Sequence, residues 1–184
     1  MKPHPRKTQS PRGRFTDLTP DKLRGGYYTS REIAAWLCAW AIRDCKDHVL
    51  EPSCGDGSFL APAATRLLEL GATASAVAKQ VTGIEIVASE ARKAKAALSK
   101  LLRSAHPSVQ TTDFFKWWSD REKPETFEVV VGNPPFIRYQ SFPEPHRSRA
   151  MSIMNELGLT PNRLTNIWVP FVTAAAASLR PSGR

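Results

Sequence analysis

The segment EVVVGNPPFIRY, around position 133, contains the residues with the clearest chemical potential. Its consecutive valines are β-branched and apolar, which favours a short buried strand. Prolines cannot donate hydrogen bonds to a sheet, so Pro134 and Pro135 end the strand and stiffen the backbone beside Asn133. The segment then presents carbonyl oxygens, a carboxamide and the ring of Phe136. We interpret it as a cradle for a planar group; the alternative is a strand terminator followed by a packed aromatic residue.

A second segment, EPSCGDGSF, begins at Glu51 and places two closely spaced glycines after an acidic residue. Gly55 and Gly57 allow a tight turn and a close approach of a ligand to the backbone. A dinucleotide-binding fingerprint would need a third glycine where Leu60 stands. Glu51 and Asp56 would also repel a pyrophosphate. The segment therefore predicts a ligand-binding loop that does not bind a dinucleotide.

Two further carboxylates follow predicted strands. Glu85 closes the segment VTGIEI, where a carboxylate can accept hydrogen bonds from both hydroxyls of a ribose or can be an ordinary solvated strand end. Asp113, with Phe114 beside it, can accept from the amino group of an adenine, although turn aspartates are also common. Because parallel strands end at the same edge of a sheet, we expect both carboxylates to lie near Asn133.

Alternating elements are predicted to position these residues. The predicted strands lie in HVLEPSC, VTGIEI, SVQTTDFF and TFEVVVGN. The predicted helices are a first helix that starts at Thr29 with Glu32 in a capping box, a second that stops at Gly71, a third at 88–104 and a last at 164–180. The alternation predicts an α/β fold: a Rossmann-like parallel sheet covered by helices on both faces.

Size and composition favour one globular domain, because 184 residues with 41% apolar content can enclose a core. No stretch is long and apolar enough to predict a membrane span or a signal peptide, so we expect a cytoplasmic protein. The three cysteines lack the spacing of a disulfide framework or a zinc site, and no metal site is predicted. The net charge of +9 suggests a polyanionic partner. Residues 1–20 are expected to form a disordered basic arm, which contacts phosphate or only aids solubility, and residues 21–184 to form the domain.

Five segments taken in order, GGYYTS, LEPSCGDGSFL, IEI, TTDFF and GNPPF, resemble the motifs of the class I S-adenosylmethionine-dependent DNA adenine-N6 methyltransferases. Their order is similar to that of the gamma group, found in type IIG and type I-like restriction-modification and phage-defence systems. The resemblance runs from Leu23 to Leu179. It implies S-adenosylmethionine as the cofactor and double-stranded DNA as the partner, with no membrane partner.

The resemblance also assigns roles to residues. It implies that the residues around the methionine end of the cofactor are Tyr28, Thr29, Ser30, Glu51, Pro52, Ser53, Cys54, Gly55 and Gly57. The ribose would contact Glu85, and the cofactor adenine would contact Ile86, Asp113 and Phe114. The catalytic residues would be Asn133, Pro134, Pro135 and Phe136. In this arrangement Asn133 and Pro134 accept the two protons of the target N6 amine, and Phe136 stacks on a target base flipped out of the duplex.

Departures from the family leave alternatives open. The family has three more strands after the last predicted helix and a DNA-recognition domain beyond them. The strand containing residues 129–131 is therefore expected to be an uncovered edge, and the chain to be a truncated product, a fragment, or one part of a split enzyme completed by a second polypeptide. A non-catalytic remnant that binds nucleic acid or a partner subunit is one alternative. A methyltransferase acting on RNA or on a protein glutamine is another, because NPPF also suits glutamine and guanine acceptors.

Overall fold

The computed structural model of the chain describes residues 29–103, 106–121, 126–162 and 164–184. The predicted basic arm, Tyr28 and Arg163 lie outside these residues. The sheet consists of β1 (Val49–Glu51), β2 (Val81–Glu85), β3 (Ser108–Thr111) and β4 (Val129–Val130), all parallel and in the order β3-β2-β1-β4. The predicted parallel α/β fold is confirmed. Because β2 and β4 flank β1 on opposite sides, the strand order reverses beside β1.

Seven α-helices occur in the described part of the chain. In chain order they are α1 (Arg31–Ala41), α2 (Leu60–Glu69), α3 (Ala74–Gln80), α4 (Ala88–Leu101), α5 (Phe114–Ser119), α6 (His146–Glu156) and α7 (Trp168–Ala176). The helices predicted near α1, α2, α4 and α7 are present. The sequence interpretation missed α3, which Thr73 caps by accepting a hydrogen bond from the Ala76 amide at 3.2 Å, and it missed α6.

The sheet separates two hydrophobic clusters, one on each face. The first cluster includes Val49 of β1 together with buried residues of α1 to α4, and the second includes Leu50 with buried residues of α5 to α7. Adjacent residues of β1 therefore serve opposite cores, as the two-residue period of a strand requires. The expected coverage of both faces is confirmed.

Helix α1 differs from its prediction at its cap, and its buried face is not the one that the helical spacing of Ile33, Trp36, Leu37 and Trp40 predicts. The N-cap is Ser30, not Thr29, because the Ser30 hydroxyl accepts the Ile33 amide hydrogen bond at 3.4 Å. Ala34, Cys38 and Ala41 are buried, whereas the large side chains Ile33, Trp36 and Trp40 are exposed. Small residues on the inner face allow α1 to approach its neighbours closely, so its apolar periodicity did not identify its core face.

The segment SVQTTDFF is only partly a strand. Strand β3 ends at Thr111, and Phe114 and Phe115 begin helix α5. The cause is Asp113, whose carboxylate accepts the Phe115 amide hydrogen bond at 2.9 Å and so caps the helix. Asp113 thus has the local structural role that the alternative interpretation, a turn aspartate, gave it.

The expectation that β4 forms an uncovered edge is wrong. The segment 178–184 runs beside β4: Phe127 and Leu179 form a parallel bridge, and the Arg180 amide donates to the Phe127 carbonyl at 2.9 Å. Further along, the Val130 amide donates to the Arg184 carbonyl at 2.8 Å. Arg184 also pairs with Asp47 at 2.9 Å, which attaches the segment to the loop before β1.

Candidate active site

A cavity of about 510 Å³ lies at the carboxyl ends of the strands, beside the reversal in strand order. Open parallel sheets bind ligands at this position, and the volume falls within the range of cofactor pockets. The predicted site residues that line it are Thr29, Glu51, Pro52, Ser53, Cys54, Gly55, Glu85, Ile86, Asp113, Phe114, Asn133 and Pro135. The structure therefore brings residues of all five predicted motifs together in one cavity.

Four predicted site residues do not line this cavity. Ser30 caps α1, Pro134 and Phe136 lie outside the cavity wall, and Gly57 packs against α4. A Cβ atom added to Gly57, whose φ is +93°, would lie 3.1 Å from the Ala94 Cα. Gly57 thus allows the loop to approach α4, which is a packing role distinct from the predicted contact with a ligand.

Backbone hydrogen bonds fix the loop between β1 and α2. The Cys54 amide donates to the Ile84 carbonyl at 2.9 Å, and the Gly55 amide donates to the Glu85 carboxylate at 2.9 Å. The second oxygen of Glu85 accepts the Val87 amide at 2.7 Å. Glu85 therefore joins the two loops that follow β1 and β2, a structural role that the sequence did not reveal. Each oxygen retains acceptor capacity toward the cavity, because a carboxylate oxygen has two lone pairs.

Glu51 is a buried carboxyl group in the wall of the cavity. Glu51 is 2% exposed, and its Oε2 atom is buried without a hydrogen-bond partner. Burial, followed by repulsion from Glu85 and Asp56, raises the pKa of Glu51 well above its ordinary value. A buried acceptor with no partner is costly unless a ligand supplies a donor or a positive charge. The cavity wall at Glu51 is therefore suited to a cation.

Asp113 already has several partners. Its Oδ1 accepts the Phe115 amide, while Oδ2 lies 2.6 Å from His146 Nδ1 and 3.2 Å from Arg149 Nη1. The residue is 7% exposed and lines the cavity beside Phe114. The Phe114 ring stacks on Phe171 at 5.3 Å with an interplanar angle of 11°. This end of the cavity is aromatic and has one oriented carboxylate.

The NPPF segment meets the Glu51 loop at the other end of the cavity. A Cβ atom added to Gly132 would lie 3.4 Å from the Glu51 Cγ and 3.6 Å from the Pro52 Cδ. Asn133 lines the cavity, whereas Phe136 is 55% exposed and its ring lies 6.3 Å from that of Trp168. Phe136 and Trp168 thus form an exposed aromatic pair, with Phe136 three residues after Asn133.

The cavity wall includes residues that sequence reasoning did not assign to the site, among them Phe142, His146 and Phe171. Phe142 and His146 follow the NPPF motif in a proline-rich stretch that showed no periodic pattern. Phe171 lay in the predicted last helix, where it had the spacing of a core residue. No local signal marks any of them: His146 and Phe171 reach the cavity through tertiary packing of α6 and α7, and Phe142 lies in the loop before α6.

The described residues contain no group of three or more His, Cys, Asp or Glu side chains arranged to hold a metal ion. None of the helices described here has the length and apolar character needed to cross a membrane.

A parallel sheet with this strand order and a carboxylate-lined cavity at its switch point define a Rossmann-like nucleoside-binding domain. Comparison with known proteins gives the family. Residues 15–184 match the family model described as N-6 DNA Methylase, so the chain belongs to that family. The resemblance inferred from the five motifs is thereby confirmed at the level of the family.

Individual relatives extend this result. The chain is 25% identical over 189 residues to the type II methyltransferase M.XhoI of Xanthomonas vasicola, covering 90% of the chain and 33% of that protein. It is 26% identical over 187 residues to M.PaeR7I of Pseudomonas aeruginosa, covering 88% of the chain and 31% of that protein. The chain thus spans about a third of the length of these curated relatives.

A solved structure shows the same fold. The methyltransferase subunit of a type I restriction-modification system from Streptococcus thermophilus superimposes with a TM-score of 0.59 at 18% identity, covering 85% of this chain and 33% of that one. The similarity supports the Rossmann-like assignment of the sheet and its helices.

Proposed function

We propose that this chain is the catalytic part of a DNA methyltransferase that transfers a methyl group from S-adenosylmethionine to the N6 amine of adenine, within a restriction-modification or defence system. The observation that carries the proposal is the meeting of Asn133 with Glu51 and Asp113 in one cavity. Family membership and the named relatives support it. The cytoplasm is the proposed location, since the substrate is DNA.

The cavity fits S-adenosylmethionine, whose sulfonium group supplies the methyl group. The orphan oxygen of Glu51 would accept from the α-ammonium group, which removes an unpaired buried acceptor. Glu85 would accept from the ribose, and Ile86, which is 51% exposed in the cavity wall, would pack on the adenine. Asp113 would accept from the adenine amino group. Gly55 allows the loop to turn tightly beneath the ligand, with a φ of +52°.

The catalytic contribution of the chain is geometric. The exocyclic amine of adenine is a poor nucleophile because its lone pair is delocalised into the ring. Two acceptors, the Asn133 carboxamide oxygen and the Pro134 carbonyl, would each accept a hydrogen bond from one N6 hydrogen and favour a pyramidal nitrogen whose lone pair points toward the sulfonium end of the cavity. The proton that the methylated amine then loses would go to water. The flanking prolines restrict the backbone that carries these acceptors. Exposed Phe136 would stack on the flipped base.

The proposed partner is double-stranded DNA. We also propose that a second polypeptide supplies the parts that the longer relatives contain beyond the matched third of their length. The relatives are named as type II methyltransferases and are about three times as long as the matched region. Sequence recognition would therefore depend on parts outside these 184 residues.

Isothermal calorimetry and a radiolabel assay test the proposal. We expect S-adenosylhomocysteine to bind the 184-residue chain more tightly than NAD does, and label from S-adenosylmethionine to appear as N6-methyladenine in a single-stranded oligonucleotide, which needs no base flipping. Asn133→Ala should reduce transfer by about 10²-fold or more, the scale for losing one oriented polar group. Its affinity for S-adenosylhomocysteine should stay within a few-fold of wild type.

Three results would contradict the proposal. Tighter binding of NAD would remove the cofactor assignment. Transfer by the Asn133→Ala variant within a few-fold of wild type would remove the role given to Asn133, and label recovered in protein glutamine with none in adenine would replace the acceptor.

A further inference from the structure

Helix α6 begins against the carboxylate of Asp113. His146, its first residue, places Nδ1 2.6 Å from Asp113 Oδ2, and Arg149, one turn later, donates from Nη1 to the same oxygen at 3.2 Å. Residues three apart share one face of a helix, so both side chains reach Asp113 together. Because an ionised carboxylate only accepts hydrogen bonds, the short contact requires a proton on His146 Nδ1.

These contacts almost exhaust the acceptor capacity of Asp113. A carboxylate offers roughly four lone-pair directions. His146 and Arg149 take both directions of Oδ2, and the Phe115 amide takes one direction of Oδ1 at 2.9 Å. One direction of Oδ1 remains, and the orientation of the whole group is fixed from two sides.

The donors come from an element with its own anchor. Glu144 accepts hydrogen bonds from the Ser148 hydroxyl at 2.7 Å, the Ser148 amide at 3.1 Å and the Arg147 Nε at 2.9 Å. These hydrogen bonds, that of the Ser148 hydroxyl first, lower the pKa of Glu144. They secure the first turn of α6 without involving Asp113. The orientation of the Asp113 carboxylate therefore depends on α6. The hydrogen bond from the Phe115 amide, within its own segment, fixes only Oδ1.

We propose that His146 and Arg149 are positioning residues of the nucleoside site: they orient Asp113 so that its remaining acceptor direction faces the 6-amino group of a purine. This inference rests on the proposed function, which places an adenosyl group in the cavity. The consequence is selectivity. An amino group donates to the fixed carboxylate, whereas a 6-oxo group would face it as a second acceptor and be repelled. Without its partners on α6, Asp113 is held through Oδ1 alone and can turn toward solvent.

Calorimetry with two ligands tests the inference on the full 184-residue chain. The ligands are S-adenosylhomocysteine and its 6-oxo analogue, S-inosylhomocysteine. We expect wild type to prefer the amino ligand by about tenfold or more, the scale of one charge-assisted hydrogen bond. His146→Ala and Arg149→Met should bring the affinity ratio toward unity. His146→Asn should largely restore it, because its side-chain amide can place a donor near the Nδ1 position.

A matched control lies on the same helix. Arg147 pairs with Glu144 at 2.8 Å and does not contact Asp113. Because the Ser148 amide and hydroxyl still hold Glu144 in the first turn of α6, Arg147→Met should leave the ratio unchanged. A residue with a merely structural role would weaken both ligands equally. Should His146→Ala fail to fold, Arg149→Met carries the same test, because the Arg149 side chain is 36% exposed.

The outcomes separate the inference from the proposed function. If neither nucleoside binds wild type, the proposed function is wrong. If wild type discriminates between the ligands and both α6 variants keep the wild-type ratio, the inference is overturned and the proposed function stands.

Discussion

At the scale of single residues, Glu51 is the group whose protonation reports ligand binding. Its raised pKa reflects burial, Glu85 and Asp56, and its Oε2 atom has no partner in the described structure. A cationic ligand stabilises the ionised form and so lowers this pKa. Binding must then release a proton at pH values between the lowered pKa of the bound state and the raised pKa of the free protein.

We expect S-adenosylhomocysteine to bind more tightly as the pH rises through this range above 4.5, the reference pKa of a glutamate. Calorimetry in buffers of different ionisation enthalpy measures the released proton. Glu51→Gln should abolish the release and weaken binding. The control ligand is 5′-methylthioadenosine, which lacks the ammonium group and should bind without proton release in both proteins.

The same variant has a second readout, the stability of the empty protein. A group whose pKa is raised in the folded state contributes stability below its unfolded pKa, and that contribution is lost as the pH rises through the folded value. Glu51→Gln removes this loss. Its melting temperature should therefore exceed that of wild type increasingly with pH. Proton release that persists in Glu51→Gln, or a stability gain that does not grow with pH, would show that another group titrates.

At the scale of elements, the loop between β1 and α2 depends on close packing at Gly57. We expect Gly57→Ala to lower the free energy of unfolding by about 1–3 kcal/mol from backbone strain at a φ of +93°, and further through the 3.1 Å approach to Ala94. Urea denaturation measures the change.

Gly71→Ala is the matched control for this prediction. Gly71 has a φ of +101°, but a Cβ atom there would have no neighbour within 4 Å. Its variant should show the strain alone. Equal losses in the two variants would mean that packing against α4 contributes nothing.

The elements also show what the sequence could predict. The residues at the ends of β1, β2 and β4 were predictable, because β-branched runs interrupted by Gly, Pro and acidic residues define strand ends, and parallel strands end at one edge. Helix α6 was not, because its first turn depends on Glu144 and Asp113, and only the folded chain brings Asp113 to it. The exposure of Trp36 in α1 likewise follows from tertiary packing.

At the scale of the whole molecule, the structure changes the expected DNA contacts. Besides the basic arm, the phosphate contacts expected from the sequence are four arginines that follow the NPPF segment: Arg138, Arg147, Arg149 and Arg163. Arg147 pairs with Glu144 and Arg149 with Asp113, while Arg138 is exposed beside Phe136. Few of these cations in the described part of the chain are therefore available to phosphate.

We expect the chain to bind DNA without sequence preference and with strong dependence on salt, because phosphate contacts dominate such binding. Fluorescence anisotropy with two unrelated duplexes between about 50 and 200 mM salt should give equal affinities that fall together. Arg138→Ala should reduce the salt slope by about 1. Arg43→Ala is the control. Arg43 lies after the C-terminal end of α1, whereas Thr29, which lines the cavity, lies before its N-terminal end. A marked preference for one duplex would show that sequence recognition resides in these residues.

The two cores on opposite faces of the sheet have a consequence for unfolding. They are separated by strands as short as the two residues of β4. Cys54 and Phe59 of the first cluster and Phe114 and Phe171 of the second all reach the same cavity. Two hydrophobic clusters that are separated only by short strands can open as separate local units. A ligand in the cavity touches both clusters, so its binding energy opposes the opening of either one and makes their unfolding a single cooperative event.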